Sequence, residues 1–323
     1  MKKFFIKENS MQKNRIKVII DTDPGVDDSV CLINAFFDEN IDIKLISTVS
    51  GNVSLKKGTR NALHLLDLFN LDIPVAKGAC KPMARECKDA EFIHQAEGLG
   101  GYLPPKDTVR KPLEENAIDA IYRIISDGDG DIVPIILGPQ TNFGLLFTKY
   151  PDVIKKIPQI VFMGGSPFGA KGYVDYISFN ISSDPEAFKI VLDSGIPLTM
   201  IPSNIGRSVA HLTEAYVDKL RAVNDVGELL YRMYSMYWEP NYPDKRVATN
   251  DICALYSLVY PEIFKSEQVS VTVNTTDAPG KTIVDFNGTG HVKMITGANR
   301  DAFLSLLDSE LNKMNGIDLK LHD

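Results

Sequence analysis

Short β-branched runs alternate with helical patterns along most of this chain, and this alternation constrains the fold more than any other feature. The first run, IKVII at 16–20, is followed by a helical spacing of apolar residues from position 27 onward. The other predicted strands are 43–51, 73–76, 132–137, 159–163 and 197–201, and the other predicted helices are 55–68, 115–126, 141–148 and 184–194. Strands that alternate with helices form right-handed βαβ units and a mostly parallel sheet.

Three stretches interrupt the alternation, at 77–112, 165–183 and 203–249. The first is rich in Gly, Pro and charged residues, which indicates a long loop, and long loops in compact domains are usually functional. The third contains an aromatic-rich helical piece, 229–238, which could cover a pocket. Residues 268–296 are typical of a late β-ribbon.

We therefore expect one α/β domain over residues 16–323, after an N-terminal tail at 1–15. Its core is predicted to be an open, mostly parallel, Rossmann-like sheet flanked by helices. A small additional β-ribbon and a helical cover are expected near the C-terminal half, with a closing helix at 299–314.

The composition excludes several classes of protein. The 323 residues carry 35 Lys and Arg against 42 Asp and Glu, a formal net charge of −7, which argues against nucleic acid or an anionic membrane as the main partner. Four cysteines without a CxxC pair are too few for a disulfide scaffold. No stretch reaches the roughly 20 apolar residues of a membrane span, and the apolar patch at 4–6 is too short for a signal peptide. We expect a cytoplasmic protein.

Four carboxylates stand within the eight residues DTDPGVDD, directly after the first predicted strand. In a parallel sheet, ligands bind outside the carboxyl ends of the strands, so this segment lies where a site is expected. Neighbouring carboxylates shift each other's pKa unless a cation neutralises them. Ca²⁺ accepts carboxylate and carbonyl oxygens. The alternative interpretation is that Asp27 caps the following helix and that the other acids form a solvated turn.

Other acid-rich motifs fit this segment poorly. An EF-hand loop that begins at Asp21 needs an oxygen ligand and a Gly where Gly25 and Val26 stand. The haloacid-dehalogenase phosphatase pattern needs Thr or Val in place of Gly25. The segment GGSPF at 164–168 is not the GxSxG motif of a serine nucleophile.

The segment DTDPGVDDS resembles the signature DTDPGxDDA of the inosine–uridine-preferring nucleoside hydrolases. Further segments resemble elements of that family in the same chain order. They are VSGN at 49–52, HQAEGLGG at 94–101, LGPQTN at 137–142, MGG at 163–165, FNISSDPEA at 179–187 and Asn250–Asp251 before a predicted helix. The resemblance covers about residues 16–260. It implies hydrolysis of the N-glycosidic bond of ribonucleosides to ribose and a free base.

The same resemblance implies the site residues. The Ca²⁺ ligands that it implies are Asp23, Asp28, Asp251 and the backbone carbonyl of Leu137. Asp23 is implied as the general base for a metal-oriented water, and Asn250 stands where many members have a His that acts as the leaving-group acid. The substrate contacts that it implies are Asp27, Asn52, His94, Met163, Ser178 and Asn180. It also implies a small-molecule nucleoside substrate and a homodimer or homotetramer.

Three positions depart from the family pattern. Ser178 stands where the family has Glu, and Gly172 where it often has Asn, both for contact with the 5′-hydroxyl. Asn250 replaces His, and an amide donates a hydrogen bond but releases no proton at useful pH. The metal and 2′,3′-diol half of the site therefore matches the family, whereas the 5′ half and the acid half are altered.

The altered half leaves alternatives open. Aromatic residues of the third interruption offer a face on which a base could stack: Tyr231, Tyr234, Tyr237, Trp238 and Tyr242. A metal-dependent nucleoside- or pentoside-binding homologue with little or no catalysis would also explain the three changes. A Mg²⁺-dependent phosphatase with Asp21 or Asp23 as nucleophile is the third reading, and Gly25 argues against it.

Overall fold

The computed structural model describes residues 15–239 and 242–321, and a nine-stranded sheet runs through the middle of these residues. The strands of the described chain, in order, are β1 (Ile16–Thr22), β2 (Ile41–Thr48), β3 (Val75–Lys77), β4 (Val133–Ile136), β5 (Ile160–Met163), β6 (Leu198–Ile201), β7 (Leu212–Thr213), β8 (Arg246–Val247), β9 (Phe264–Val273), β10 (Thr282–Asp285) and β11 (Val292–Ala298). The helices are α1 (Val26–Phe37), α2 (Leu55–Leu68), α3 (Glu91–His94), α4 (Ala117–Asp127), α5 (Thr141–Lys149), α6 (Phe179–Ser183), α7 (Pro185–Leu192), α8 (Glu214–Leu220), α9 (Asp225–Tyr234), α10 (Asn250–Val259) and α11 (Arg300–Lys313). The predicted tail, apart from Arg15, lies outside the described residues.

The first six strands pair in parallel in the order β3-β2-β1-β4-β5-β6. Strand order reverses at β1, which has β2 on one side and β4 on the other. The carboxyl ends of β1 and β4 therefore meet at a topological switch point, where open parallel sheets bind their ligands. The predicted α/β fold with a mostly parallel sheet is confirmed.

The predicted ribbon is present, but it continues the main sheet. Strand β11 pairs in parallel with β6, β9 pairs antiparallel with β11, and β10 pairs antiparallel with β9. Only β7 and β8 form a separate two-stranded sheet within the described residues.

Two hydrophobic cores lie on the two faces of the sheet, because side chains alternate along each strand. In β1, Val18 and Ile20 pack into one core, and Ile19 packs into the other. Helices α1, α2, α10 and α11 contribute to the first core, and α4, α5 and α7 to the second. In the parts of the chain that the structure describes, no helix has the length and apolar character needed to cross a bilayer.

The three interruptions contain more regular structure than the sequence predicts. The stretch 165–183 ends in α6, and the stretch 203–249 contains α8 and α9. Helix α9 begins four residues before the predicted 229–238, because the Asn224 side chain accepts a hydrogen bond from the Gly227 amide at 2.8 Å and caps the helix there.

Candidate active site

A cavity of about 350 Å³ opens at the carboxyl ends of β1, β4 and β5. This volume falls within the range of small-molecule sites. Nine of the predicted site residues line it: Asp27, Asn52, His94, Leu137, Met163, Ser178, Asn180, Asn250 and Asp251. The other two, Asp23 and Asp28, are fully buried and contact residues of this lining. The structure thus brings together all the residues that the resemblance implied.

Asp23 follows the end of β1, and only one of its two carboxylate oxygens has a hydrogen-bond partner within the described parts of the chain. Its Oδ2 accepts a hydrogen bond from the Asn52 amide at 2.6 Å, whereas its Oδ1 is buried without a hydrogen-bond partner in the described residues. Gly51 and Gly138 pack against this carboxylate so tightly that a Cβ on either would lie less than 3.0 Å from it. The buried, unpartnered oxygen is the kind of group that a bound cation or water satisfies.

Asp28 lies in the first turn of α1 and has both carboxylate oxygens engaged. Its Oδ1 accepts from the Thr22 hydroxyl at 2.5 Å and from the Asp23 amide at 3.2 Å. Its Oδ2 accepts from the Gly25 amide at 3.2 Å and from the Asn52 side chain at 2.8 Å. The turn formed by Pro24 and Gly25 and the start of the helix therefore set the direction of this side chain.

Asp27, Asp28 and Asp251 form a carboxylate cluster in which one oxygen from each lies within 4.8 Å of the others. Burial, and then the neighbouring Asp28, raises the pKa of Asp27 to about 7. Burial and the same neighbour also raise the pKa of Asp23 well above its usual range. Burial, and then Asp27, has the same effect on the pKa of Asp251. So many buried acids fit a hard divalent cation with oxygen ligands.

The Leu137 carbonyl and Asn180 form the next part of the lining. The Asn180 side-chain amide, in the first turn of α6, donates to the Leu137 carbonyl oxygen. It also lies 3.2 Å from the Met163 sulfur at the end of β5. Since a carbonyl oxygen has two lone pairs, this hydrogen bond leaves one for another ligand.

His94 ends α3 and is neutral in this position. Its Nδ1 accepts a hydrogen bond from the Val26 amide at 3.0 Å, so the ring proton is on Nε2. Burial lowers the pKa of His94 to about 4, which makes the imidazolium scarce at neutral pH. The ring lies 5.0 Å from that of Tyr237. The geometry suits a hydrogen bond to a ligand better than a proton transfer.

The three residues that differ from the family pattern lie in different parts of the structure. Asn250 begins α10 and is buried, and its Oδ1 has no hydrogen-bond partner among the residues described. Ser178 precedes α6 and is buried in the cavity wall. Gly172 is exposed with a φ of +91° and does not contribute to the described lining. The predicted change in the 5′ half of the site therefore rests on Ser178.

Sequence reasoning missed part of the wall. Arg207 and Glu239 line the cavity, and neither belongs to a motif that could have found it. Of the five aromatic residues considered for stacking, Tyr237 lines the cavity, whereas Tyr234 packs in the hydrophobic core. Tyr176 and Phe92 also contribute to the lining.

Comparisons with known proteins find relatives over most of the chain. Residues 18–305 match the family described as inosine-uridine preferring nucleoside hydrolase. The chain is 37% identical over 275 residues to the non-specific ribonucleoside hydrolase RihC of Salmonella paratyphi B, which covers 84% of this chain and 89% of that relative. The enzyme of the same name from Salmonella enteritidis is 36% identical over the same shares.

Solved structures resemble the whole described fold. A plant nucleoside hydrolase, PpNRh1, superposes with a TM-score of 0.84 at 30% identity, over 92% of this chain and 98% of that one. A purine-preferring ribonucleoside hydrolase from Gardnerella vaginalis superposes with a TM-score of 0.82 at 26% identity, over 93% and 98% of the two chains.

Proposed function

This chain belongs to the inosine-uridine preferring nucleoside hydrolase family, and we propose that it hydrolyses ribonucleosides to ribose and a free base with the help of Ca²⁺. It is a hydrolase that acts on N-glycosyl compounds. The observation that carries the proposal is the Asp27–Asp28–Asp251 cluster, of which Asp27 and Asp251 line the cavity. Asp28 and Asp251 are among the proposed metal ligands, and Asp27 is proposed to contact the ribose.

Asp23, Asp28, Asp251 and the Leu137 carbonyl are the proposed ligands of the metal ion. Ca²⁺ suits these ligands, since all of them are carboxylate or carbonyl oxygens. When bound, the ion supplies a positive charge that orients and polarises water and the ribose 2′- and 3′-hydroxyls. The unpartnered Oδ1 of Asp23 supports this assignment.

Asp23 is also the proposed general base. The Asn52 amide holds one of its oxygens, so the other is free to accept a proton from the attacking water. Gly51 and Gly138 fix the carboxylate by close packing. A general base must lie within hydrogen-bond distance of the water that it deprotonates. Close packing of the two glycines fixes the Asp23 carboxylate in one position.

The ribose is proposed to contact Asp27, Asn52 and Asn180, with Met163 beneath the ring. Hydrolysis of a glycosidic bond passes through an oxocarbenium-like transition state. The buried carboxylates around the sugar stabilise its positive charge, and burial strengthens that attraction. Ser178 takes the place near the 5′-hydroxyl, where it offers a hydroxyl instead of a carboxylate.

The leaving base is proposed to lie against His94 and Asn250. The neutral His94 donates from Nε2, and the unpartnered Asn250 Oδ1 accepts an N–H from the base. Neither group releases a proton readily at neutral pH. Activation of the leaving base therefore has to come from another residue.

Neither alternative function is favoured. In the phosphatase reading Asp21 is a possible nucleophile, but its Oδ1 accepts hydrogen bonds from Ser47 and Asn142 at 2.5 and 2.7 Å, and the family match is to nucleoside hydrolases. The non-catalytic reading is not favoured by the relatives, which are named as hydrolases. A cytoplasmic location and a homodimer or homotetramer stay predictions.

Reducing sugar released from a panel of purine and pyrimidine nucleosides, with Ca²⁺ or a chelator, tests this function. We expect release with Ca²⁺ and its loss on chelation. Asp23→Asn should lower kcat by on the order of 10²-fold or more, since it removes a general base and a ligand. Asp129→Asn, which changes a 90% exposed carboxylate, is the matched control. Release of phosphate from sugar phosphates without release of ribose from nucleosides would contradict the proposal.

A further inference from the structure

Arg207 places a guanidinium in the wall of the cavity. It lies in a π-helical turn, Ile205–Val209, which follows β6. Its Nε lies 3.2 Å from both oxygens of Glu239, and its Nη2 donates to the Tyr176 hydroxyl at 3.2 Å. The guanidinium carbon lies 4.1 Å from the centre of the Tyr176 ring. Three contacts from two distant segments therefore hold one side chain in place.

The third nitrogen of this guanidinium is free for a ligand. In the chain that the structure describes, Nη1 of Arg207 makes no hydrogen bond. The side chain is about one-fifth exposed and lines the cavity. Besides its ion pair with Glu239, Arg207 packs on the Tyr176 ring and lines the cavity. Its position therefore differs from that of a surface ion pair.

Arg207 is the one permanent cation in the described lining of this cavity. The lining contains three carboxylates, those of Asp27, Glu239 and Asp251, and no Lys. Because a guanidinium stays charged at every pH at which the protein folds, it provides a fixed positive charge in an otherwise acidic pocket.

Arg207 also lies beside the proposed place of the leaving base. Gly206 packs directly on the Asn250 side chain, because a Cβ on Gly206 would lie less than 3.0 Å from Asn250 Oδ1. Arg207 is the next residue. Tyr237, whose ring lies against His94, lines the same wall. After burial and Asp27, the charges of Glu239 and Arg207 act in opposite directions on the pKa of Tyr237. The Arg207–Glu239 pair therefore lies near Tyr237, whose ring lies 5.0 Å from that of His94.

We propose that Arg207 is a catalytic residue that stabilises the departing nucleobase by its positive charge, with Glu239 and Tyr176 as positioning residues. The inference rests on the proposed function. In the reaction the C1′–N bond breaks and its electron pair stays on the base nitrogen. The water oxygen bonds to C1′ and loses a proton to Asp23, which passes it to solvent. The base takes up a proton from solvent after it leaves. Arg207 transfers no proton, and its charge lowers the energy of the electron-rich base.

The dependence of the rate on the leaving group distinguishes this role from a structural one. The test compares inosine and uridine, whose bases leave poorly, with p-nitrophenyl β-D-ribofuranoside, whose leaving group needs no stabilisation. Arg207→Gln removes the charge, Arg207→Lys keeps it without the planar geometry, and Arg123→Gln removes a charge from the surface of α4 as the matched control.

We expect Arg207→Gln to lower kcat on inosine by on the order of 10²-fold, the usual cost of removing one preorganised donor. Its kcat on the p-nitrophenyl riboside should change by less than about 3-fold, which also shows that the variant is folded. Arg207→Lys should recover part of the loss on inosine, and Arg123→Gln should match the parent on both substrates.

Other outcomes overturn the inference. Equal losses on both substrates would mean that Arg207 only supports the fold or the sugar site. Losses confined to inosine 5′-monophosphate, used as a third substrate, would mean that the guanidinium binds a 5′-phosphate instead. If the parent protein cleaves neither inosine nor the p-nitrophenyl riboside, the proposed function itself fails, and this result is separate from any effect of Arg207.

Discussion

At the scale of single residues, two glycines determine where the general base stands. Gly51 and Gly138 come from different loops, yet both close on the carboxylate of Asp23. Neither has a positive φ, so their importance lies in the absent side chain and not in the backbone conformation. Both glycines lie in segments that resemble family elements, VSGN and LGPQTN, but only the structure shows that they pack against Asp23.

Gly138→Ala tests this packing. The new methyl group would lie less than 3.0 Å from Asp23 Oδ1, so the carboxylate has to move away from its proposed metal and water. We expect Ca²⁺ affinity to fall by about 10–100-fold, as for other changes beside metal ligands. Isothermal titration calorimetry measures it. Gly297→Ala is the control, since its Cβ would have only ordinary contacts with Lys265. Equal affinities for the two variants would contradict the idea.

Prediction of single site residues from the sequence succeeded where several acidic residues lie close together in the chain. The acids of DTDPGVDD stand out because four carboxylates in eight residues favour a bound cation, and the resemblance added residues as far away as Asp251. Arg207 could not be found in this way, because one Arg in an irregular stretch has no distinctive spacing. Its role depends on Glu239, Tyr176 and Asn250, which only the fold brings to it.

At the scale of elements, Asp184 directly follows α6, the helix that carries Asn180, and links α7 to α5 and to the loop at Met83. It is fully buried between α6 and α7. Its carboxylate accepts from the Ala187 amide at 3.0 Å, from the Met83 amide at 2.8 Å and from the Thr141 hydroxyl at 2.8 Å. It is thus both the N-cap of α7 and a link between three segments.

Asp184→Ala should lower the free energy of unfolding by about 3 kcal/mol, since it leaves three donors without their acceptor. It should also lower kcat/KM, because Asn180 lies four residues away in α6. Urea unfolding measures the stability. Asp193→Asn, which alters an exposed ion pair with Lys189, should change it by less than about 1 kcal/mol. If Asp184→Ala lowers the free energy of unfolding no more than this control does, the hydrogen bonds of Asp184 contribute little to stability.

Whether a segment forms a helix or a strand was easier to predict than the residues at which it begins and ends. The strand-rich and helix-rich segments follow from local periodicity, which the sequence contains directly. Helix α6 was missed because it has only five residues, too few for a period to appear. The start of α9 was misplaced because a cap at Asn224, and not an apolar residue, begins it.

At the scale of the whole molecule, the buried acids couple stability to pH and to metal. Burial raises the pKa of Asp21 and that of Asp27 from about 4 to about 7. Between these values the folded, metal-free protein binds more protons than the unfolded chain. Its free energy of unfolding therefore falls as pH rises through this range. Metal binding requires ionised carboxylates, so it opposes this loss more strongly at higher pH.

We expect the difference in Tm between the Ca²⁺-loaded and the chelated protein to widen as pH rises from about 5 to about 8. Thermal unfolding followed by circular dichroism, with Ca²⁺ or a chelator at each pH, measures it. A difference in Tm that stays constant across this range would contradict the coupling. The Asp23→Asn variant should show a smaller difference at every pH, since it lacks one of the proposed ligands.

The sequence by itself determined the order of strands and helices, the parallel α/β class and the acidic segment at the end of β1. These features depend on residues that are near one another in the chain, where periodicity and charge density are visible. The tertiary structure decided which of the remaining polar residues share the cavity, and that the late ribbon joins the main sheet beside β6. The physical reason is that contacts between segments depend on how both faces of the sheet are covered, which no local spacing specifies.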